Sequence, residues 1–280
     1  MRLVALFLLL CAAVTAQQRI VSTAPSITEI LYALGLGDRV VGVTRFCRYP
    51  PEAQQKPKIG DYINPNLEAI AALRPDLVVI QTNPVRLAER LAILRLRSLE
   101  VNQENVAAIY NSIHIIGKAT GAEARGEQQI SALKEGLAAI RSRASILKPT
   151  RVMFVVGRAP SRLDGLIVVG KASYLNELIT MAGGQNVFAD AVAAYPQISL
   201  EEVLARNPEV IIDFGDMGDA TAVKEAHKRE VVSVWQRATT LQAVKNHRIH
   251  PVAADIFVVP GPRAVLATQA IFDLLHPALH

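Results

Sequence analysis

The chain reads as α/β: two similar lobes, each a mostly parallel sheet flanked by helices, joined by one long α-helix. Three observations predict this. Apolar strand-like runs alternate with amphipathic helical stretches. The pattern restarts after residue 148, and the restarted half repeats the first in register. Between them lies GAEARGEQQISALKEGLAAIRSRASILK, Gly121 to Lys148, with apolar residues at Ile130, Leu133, Leu137, Ile140, Ala144 and Leu147. Steps of three and four give one narrow apolar stripe, and Glu123, Arg125, Glu127, Lys134, Glu135, Arg141 and Arg143 cover the other faces. Pro149 ends the helix. At 1.5 Å per residue it would span roughly 42 Å. Gly126 and Gly136 each weaken it by ~1 kcal/mol relative to alanine.

Residues 1–16 read as a secretory signal: Met1-Arg2, an apolar run, then Val14-Thr15-Ala16 as the cleavage pattern. The run is shorter than the ~20 residues of a membrane span. Lipidation at Cys11 is disfavoured by the bulk of Leu10. The mature chain, from Gln17, is expected to be an exported, soluble monomer.

Taken in order, Arg19 to Ser22 is a strand. Ser26 and Glu29 spell a capping box for a helix that Gly35 ends. Val40 to Val43 is a strand, and the irregular polar passage from Arg45 to Asn66 is a functional-loop candidate. Leu67 to Leu73 is helical, Leu77 to Ile80 a strand covered on both faces, Arg86 to Leu99 a helix and Ile113 to Ile116 a strand. Past the long helix, Arg151 to Val156 is a strand, followed by helices at Ser173 to Ala182 and Glu201 to Arg206. Val210 to Ile212 and Ile249 to Val252 are strands, and Gly261 to Leu275 is a closing helix with Pro262 near its first turn. The divisions are 1–16, 17–120, 121–148 and 149–280.

The repeat aligns Asn66 to Ile80 on Ser199 to Asp213 without gaps. Leu67 falls on Leu200, Glu68 on Glu201, Pro75 on Pro208 and Asp76 on Glu209; Tyr62 falls on Tyr195. Glu29 and Glu177 each stand six residues before a helix-ending glycine, Gly35 and Gly183. Parallel sheets bind ligands at the carboxyl ends of their strands, so Tyr62 and Tyr195 would approach a shared cleft from opposite walls. A single stiff connecting helix would restrict closure to small motions.

Composition excludes several classes. The chain of 280 residues is 51% hydrophobic with a formal charge of +5, and its cations are scattered, without the basic stripe of a nucleic-acid binder. Without the signal, Cys47 is the one cysteine, too few for a disulfide or a cysteine metal site. No His and carboxylate cluster has metal-ligand spacing; His276 and His280 are expected on a frayed tail. Trp235 reads as packing. Arg45, Arg48, Arg86 and Arg158 are candidates for lining the cleft, each singly more at home on solvated surface. No Gly-x-Ser-x-Gly or phosphate loop appears, so no catalytic residue is assigned.

The motifs TAPSITEILYALGLGDRVVGVT, YPPEAQQKPKIGDYINPNLEAIAALRPDLVV, VVGKASYLNELITMAGGQNVF, YPQISLEEVLARNPEVII and GPRAVLATQAIFDLL together resemble the periplasmic solute-binding proteins with one backbone helix, which serve ABC importers of cobalamin, haem and ferric siderophores. The resemblance covers residues 19–276 and is nearest the vitamin B12-binding branch, through Tyr49-Pro50-Pro51 and Tyr195 to Ser199. It implies a corrinoid carried between the lobes as transported ligand, with no cofactor, and a permease dimer with its ATPase as partner. It places Tyr49, Tyr62, Tyr195 and Asp255 at ligand contacts, and Glu68 and Glu201 at the permease-docking positions. Thr82 and Ile167 stand where aromatics are expected, and Val259 where an arginine is, which leaves haem or a ferric siderophore as the alternative cargo. An exported tetrapyrrole-acting enzyme on this architecture would have only Asp255 as acid or base.

Overall fold

The computed structural model describes residues 18–82, 86–215, 225–252 and 255–277. The leader, Cys11 and His280 lie outside them. The first half runs β1 (Ile20–Ser22), α1 (Pro25–Ala33), β2 (Val40–Gly42), α2 (Leu67–Ala72), β3 (Leu77–Gln81), α3 (Leu87–Ile93), β4 (Ser98–Val101) and α4 (Val106–Thr120). Its strands form a wholly parallel sheet in the order β2-β1-β3-β4. Then follow α5 (Glu123–Ala144), β5 (Thr150–Gly157), β6 (Leu166–Val168), α6 (Tyr174–Met181), β7 (Gly184–Asn186), β8 (Gln197–Ile198), α7 (Leu200–Arg206), β9 (Val210–Asp213), α8 (Glu225–Trp235), α9 (Gln242–Lys245), β10 (Ile249–Pro251) and α10 (Ala264–Leu275). The second sheet is β10-β9-β5-β6-β8, with β7 also paired to β5. β5, β7, β9 and β10 are parallel, while β6 is antiparallel to β5 and β8. The α/β class with two parallel-rich sheets is therefore as expected from the alternating pattern.

The long helix is shorter than its apolar stripe implied. Gly121 is the left-handed cap of α4 (φ 74°), so α5 begins at Glu123 and runs 22 residues, roughly 33 Å. Its buried residues Ile130, Leu133, Leu137, Ile140 and Ala144 are those of the stripe. They pack toward α4, α6 and α10, and one core cluster reaches from Ile20 and Leu77 in the first sheet to Phe154 and Ile212 in the second. Gly126 is buried where α5 faces α4, and a Cβ on it would touch the Ile113 carbonyl oxygen at 3.4 Å, an ordinary contact.

Four local expectations are corrected. Ile113 to Ile116 is not a strand but the middle of α4, which Asn105 starts by accepting from Ala108 N at 2.8 Å. Arg86 to Leu99 is not one helix: α3 stops at Ile93, Arg95 turns left-handed (φ 55°), and Ser98 begins β4. Ser26 and Glu29 form no capping box. Pro25 occupies the first turn of α1 after an extended Ala24 with no side-chain cap, and both polar side chains point to distant partners. Finally, the closing helix α10 starts at Ala264, with Arg263 as its N-cap, and not at Gly261.

The repeat persists in the hydrogen bonding. Asp76 accepts from Arg19 N at 2.7 Å, and the Arg19 guanidinium donates to the Leu73 carbonyl at 2.8 Å. Glu209 accepts from Arg151 N at 3.3 Å, and the Arg151 guanidinium donates to the Arg206 carbonyl. Each acidic residue after a proline thus ties a strand edge to the end of the helix before it.

Candidate functional site

A cleft of about 560 Å³ opens beyond the carboxyl ends of both sets of parallel strands, within the range of small-molecule sites. Pro25 and Ser26 follow β1, and Gln103 and Glu104 follow β4. From the second sheet, Phe214 follows β9 and Asp255 follows β10. Tyr62 and Tyr195 both line this cleft, as the repeat requires.

Tyr62 is presented by the loop between β2 and α2. Asp61 orders the turn: its Oδ1 accepts from the amides of Ile63 and Asn64 at 3.0 and 2.6 Å, and its Oδ2 binds Arg45 at 2.9 Å. Phe46, which the sequence reading did not single out, meets Tyr62 edge to face with centroids 6.2 Å apart. Together they make an apolar wall, both about half exposed. On the other side, Tyr195 sits in a segment pinned against Gly170, whose amide donates to the Ala194 carbonyl at 2.9 Å. A Cβ on Gly170 would lie 2.1 Å from the Ala193 carbonyl oxygen, so only glycine allows that approach. Burial raises the Tyr195 phenol above its ordinary value, partly offset by a hydrogen bond with Ser173. Neighbouring Tyr174 is raised much further, by burial first, and its hydroxyl donates to the Phe257 carbonyl. This wall therefore offers neutral phenols at neutral pH.

A charge cluster underlies Asp255. Arg263 donates from Nε to Glu29 Oε2 at 2.9 Å, from Nη2 to Glu29 Oε1, and from Nη1 to Asp255 Oδ1 at 2.9 Å. The Glu29 side chain is 3% exposed. Burial pushes its carboxyl above the usual range, opposed by Arg263. Burial also works against the Arg263 cation, but the hydrogen bonds and charges of Glu29 and Asp255 outweigh it and hold the guanidinium above its ordinary value. The other face of that guanidinium covers the Tyr49 ring, 4.2 Å from its centroid. Tyr49 stands beside the cleft on this cluster and is not among its lining residues. Arg263 escaped the sequence reading because its main partner is 234 residues away.

Of the four arginine candidates, Arg48 lines the cleft. Arg45 pairs with Asp61 and Arg86 with Glu89 at the surface. Arg158 is neither solvated nor in the cleft: its fully buried side chain binds Asp213 at 3.0 Å, and Trp235 Nε1 donates to the same carboxylate at 2.6 Å. Trp235 is thus core packing with a polar anchor. Val259 lines the cleft, whereas Thr82 and Ile167 do not. Cys47 is buried between the hydroxyls of Thr28 and Thr44, 3.1 and 3.2 Å from its sulfur, and burial raises its thiol. His276 is not frayed: it lies 3.0 Å from the Ala182 carbonyl and against Phe272. Among the described residues no group of three or more His, Cys, Asp or Glu could hold a metal, and no helix is long and apolar enough to cross a membrane.

Glu68 and Glu201 are exposed in the first turns of α2 and α7. Asn66 caps α2, and Ser199 with Glu202 forms the capping box of α7. Hydrogen bonds from its own amide and the Ser199 hydroxyl hold the Glu201 carboxyl below its ordinary value.

A family model described as periplasmic binding protein matches residues 20–253. An uncharacterised ABC transporter substrate-binding lipoprotein of Bacillus subtilis, YvrC, is 32% identical over 266 residues, covering 93% of this chain and 80% of its own. The vitamin B12-binding protein of Pectobacterium atrosepticum is 32% identical over 278 residues, 96% of this chain and 92% of its own. Two solved structures share 27% identity: the vitamin B12-binding protein BtuF of Vibrio cholerae (TM-score 0.78, 94% and 98% coverage) and the haem-binding protein RhuT of Roseiflexus sp. RS-1 (TM-score 0.75, 92% and 99%).

Proposed function

The chain belongs to the periplasmic binding protein family, and from that membership we propose that it captures a corrinoid in this cleft and delivers it to an ABC importer. The observation that carries the proposal is that Tyr62, edge to face with Phe46, lines one cleft with Tyr174, Tyr195, Ser26, Gln81 and Gln103. A corrinoid is broad, mostly uncharged and rimmed with amides, so it calls for flat aromatic faces and neutral hydrogen-bonding tips. The B12-binding relatives support the same ligand class.

In this reading Tyr62 and Tyr195 pack against the guest, Asp255 accepts a hydrogen bond from it, and Tyr49 completes the contact at the mouth. Residues 17–120 and 149–280 act as the two lobes, with 121–148 as the link. Glu68 and Glu201 pair with arginines on the permease and act chiefly by steering and orientation. The leader 1–16 is removed on export and the mature protein works in the periplasm, carrying its ligand without a resident cofactor. Catalysis has little to build on, since the one nominated group, Asp255, is ion-paired to Arg263.

Haem or a ferric siderophore is the second reading, favoured by the likeness to RhuT and by Arg48 in the cleft. Calorimetric titration with cyanocobalamin separates the two. Saturable heat at tens of micromolar protein is expected; its absence, with a haem or catecholate spectrum on protein from iron-starved cells, would reverse the choice.

A further inference from the structure

One side chain lining the cleft has unused hydrogen-bonding capacity. Gln103, two residues past β4, is 2% exposed and lines the cleft with Ser26 and Glu104. Its Oε1 accepts from Ser26 Oγ at 2.5 Å, while its buried Nε2 has no partner. The Ser26 hydroxyl can accept as well as donate, so turning the amide over leaves one amide atom open all the same. Unpaired buried polar atoms are rare in folded proteins and often mark a missing ligand or water.

The segment that carries Gln103 is fixed on both sides. Asn102 Oδ1 accepts from Glu104 N at 2.8 Å, and the Asn102 carbonyl accepts from Ser112 Oγ at 2.6 Å. Asn105 caps α4. Gln103 is thus held with one partner filled and one open before any ligand arrives, an arrangement that costs little ordering on binding. Glu104, the next residue, is an exposed carboxylate lining the same cleft.

We infer that Gln103 and Glu104 form a subsite for a primary carboxamide on the ligand's rim. The Gln103 amide donates to the carboxamide oxygen, and the Glu104 carboxylate accepts from its N–H. A ligand carboxylate at the same place would offer no N–H and would face the Glu104 charge, so the subsite selects amide over acid. The inference rests on the corrinoid reading and deepens it: the selected chemistry is the neutral, amidated form of the macrocycle.

The test is calorimetric titration of the intact protein with cyanocobalamin and, one at a time, with its peripheral monocarboxylic acids, in which one rim amide is hydrolysed. The wild type should bind one isomer about tenfold more weakly than cyanocobalamin. Gln103→Met should weaken cyanocobalamin binding without narrowing that ratio, since a carboxylate would accept from the same donor, and Glu104→Gln, at an exposed position, should restore binding of the disfavoured acid. In Glu104→Gln, mere damage to the fold would lower all the affinities together and leave the ratio alone. Equal affinity of the wild type for every isomer, a ratio unchanged in Glu104→Gln, or cyanocobalamin binding unchanged in Gln103→Met, overturns the subsite while the corrinoid reading stands. Absence of any corrinoid binding by the wild type removes that reading and the subsite with it.

Discussion

Replacing Arg263 by methionine removes the cation that pairs with the buried Glu29. The side chains are 12% and 3% exposed, so water can do little to replace the guanidinium. Breaking a buried pair on one side costs about 3–5 kcal/mol, because the remaining charge is uncompensated. For a domain of this size that corresponds to a fall in Tm of roughly 6–20 °C. The loss must depend on pH. Burial already raises the Glu29 carboxyl above its ordinary range, and without Arg263 the rise is larger. A carboxyl whose folded pKa exceeds its unfolded one binds its proton more tightly when folded. Its contribution is full below the unfolded value and is lost as pH rises through the folded value. Arg263→Met should therefore be nearest to wild type around pH 5 and fall further behind by pH 8. Adding Glu29→Gln should recover much of the deficit at pH 8 by removing the stranded charge. Urea unfolding at both pH values measures this. A deficit below about 1 kcal/mol, or one equal at both pH values, would refute a buried cross-chain ion pair.

Three further outcomes are expected. Tyr62→Ala and Tyr195→Ala should each weaken cyanocobalamin binding by about tenfold, since an aromatic contact contributes ~0.5–1.5 kcal/mol beyond the area it buries; fluorescence titration reads this, and unchanged affinity in both would remove the aromatic walls from the mechanism. Glu68→Lys with Glu201→Lys should abolish transport in an uptake assay yet leave ligand affinity intact, and normal uptake by the double variant would end the docking role. Gly126→Leu should destabilise by about 1–3 kcal/mol, because a Cβ there already touches the Ile113 carbonyl and the atoms beyond it overfill the space between α5 and α4; thermal unfolding would show this, and a neutral result would mean that the helices are not closely packed there.

What could be read from the chain alone followed the range of the physics. The continuous apolar run Leu77 to Ile80 became β3 because burial on both faces is a local pattern. Ile113 to Ile116, apolar except for His114, became helix, since so short a run cannot by itself distinguish the two. The deciding signals were the flanking Asn105 and Gly121, one capping α4 and the other ending it. Tyr62 and Tyr195 were found through the repeat, which carries spatial information in sequence form. Phe46, Gln103 and Arg263 were not, because their significance lies in partners brought near only by the fold.

Glu29 and Glu177 show why a local motif can be spelled correctly and mean something else. Both stand six residues before a helix-ending glycine, and both leave their own half of the chain. Glu29 on α1 grips Arg263 at the start of α10, and Glu177 on α6 accepts from Val106 N, 3.4 Å away, at the start of α4. Burial raises both carboxyls, opposed in each case by the partner. A single unit would have no partner for its glutamate and would have to leave it in water. Two units supply each other's, and a helix N-terminus is a favourable place to receive a carboxylate. The repeated acid therefore marks a place where the two halves meet, and Arg263, which holds Glu29, also holds Asp255 in the cleft that Tyr62 and Tyr195 line.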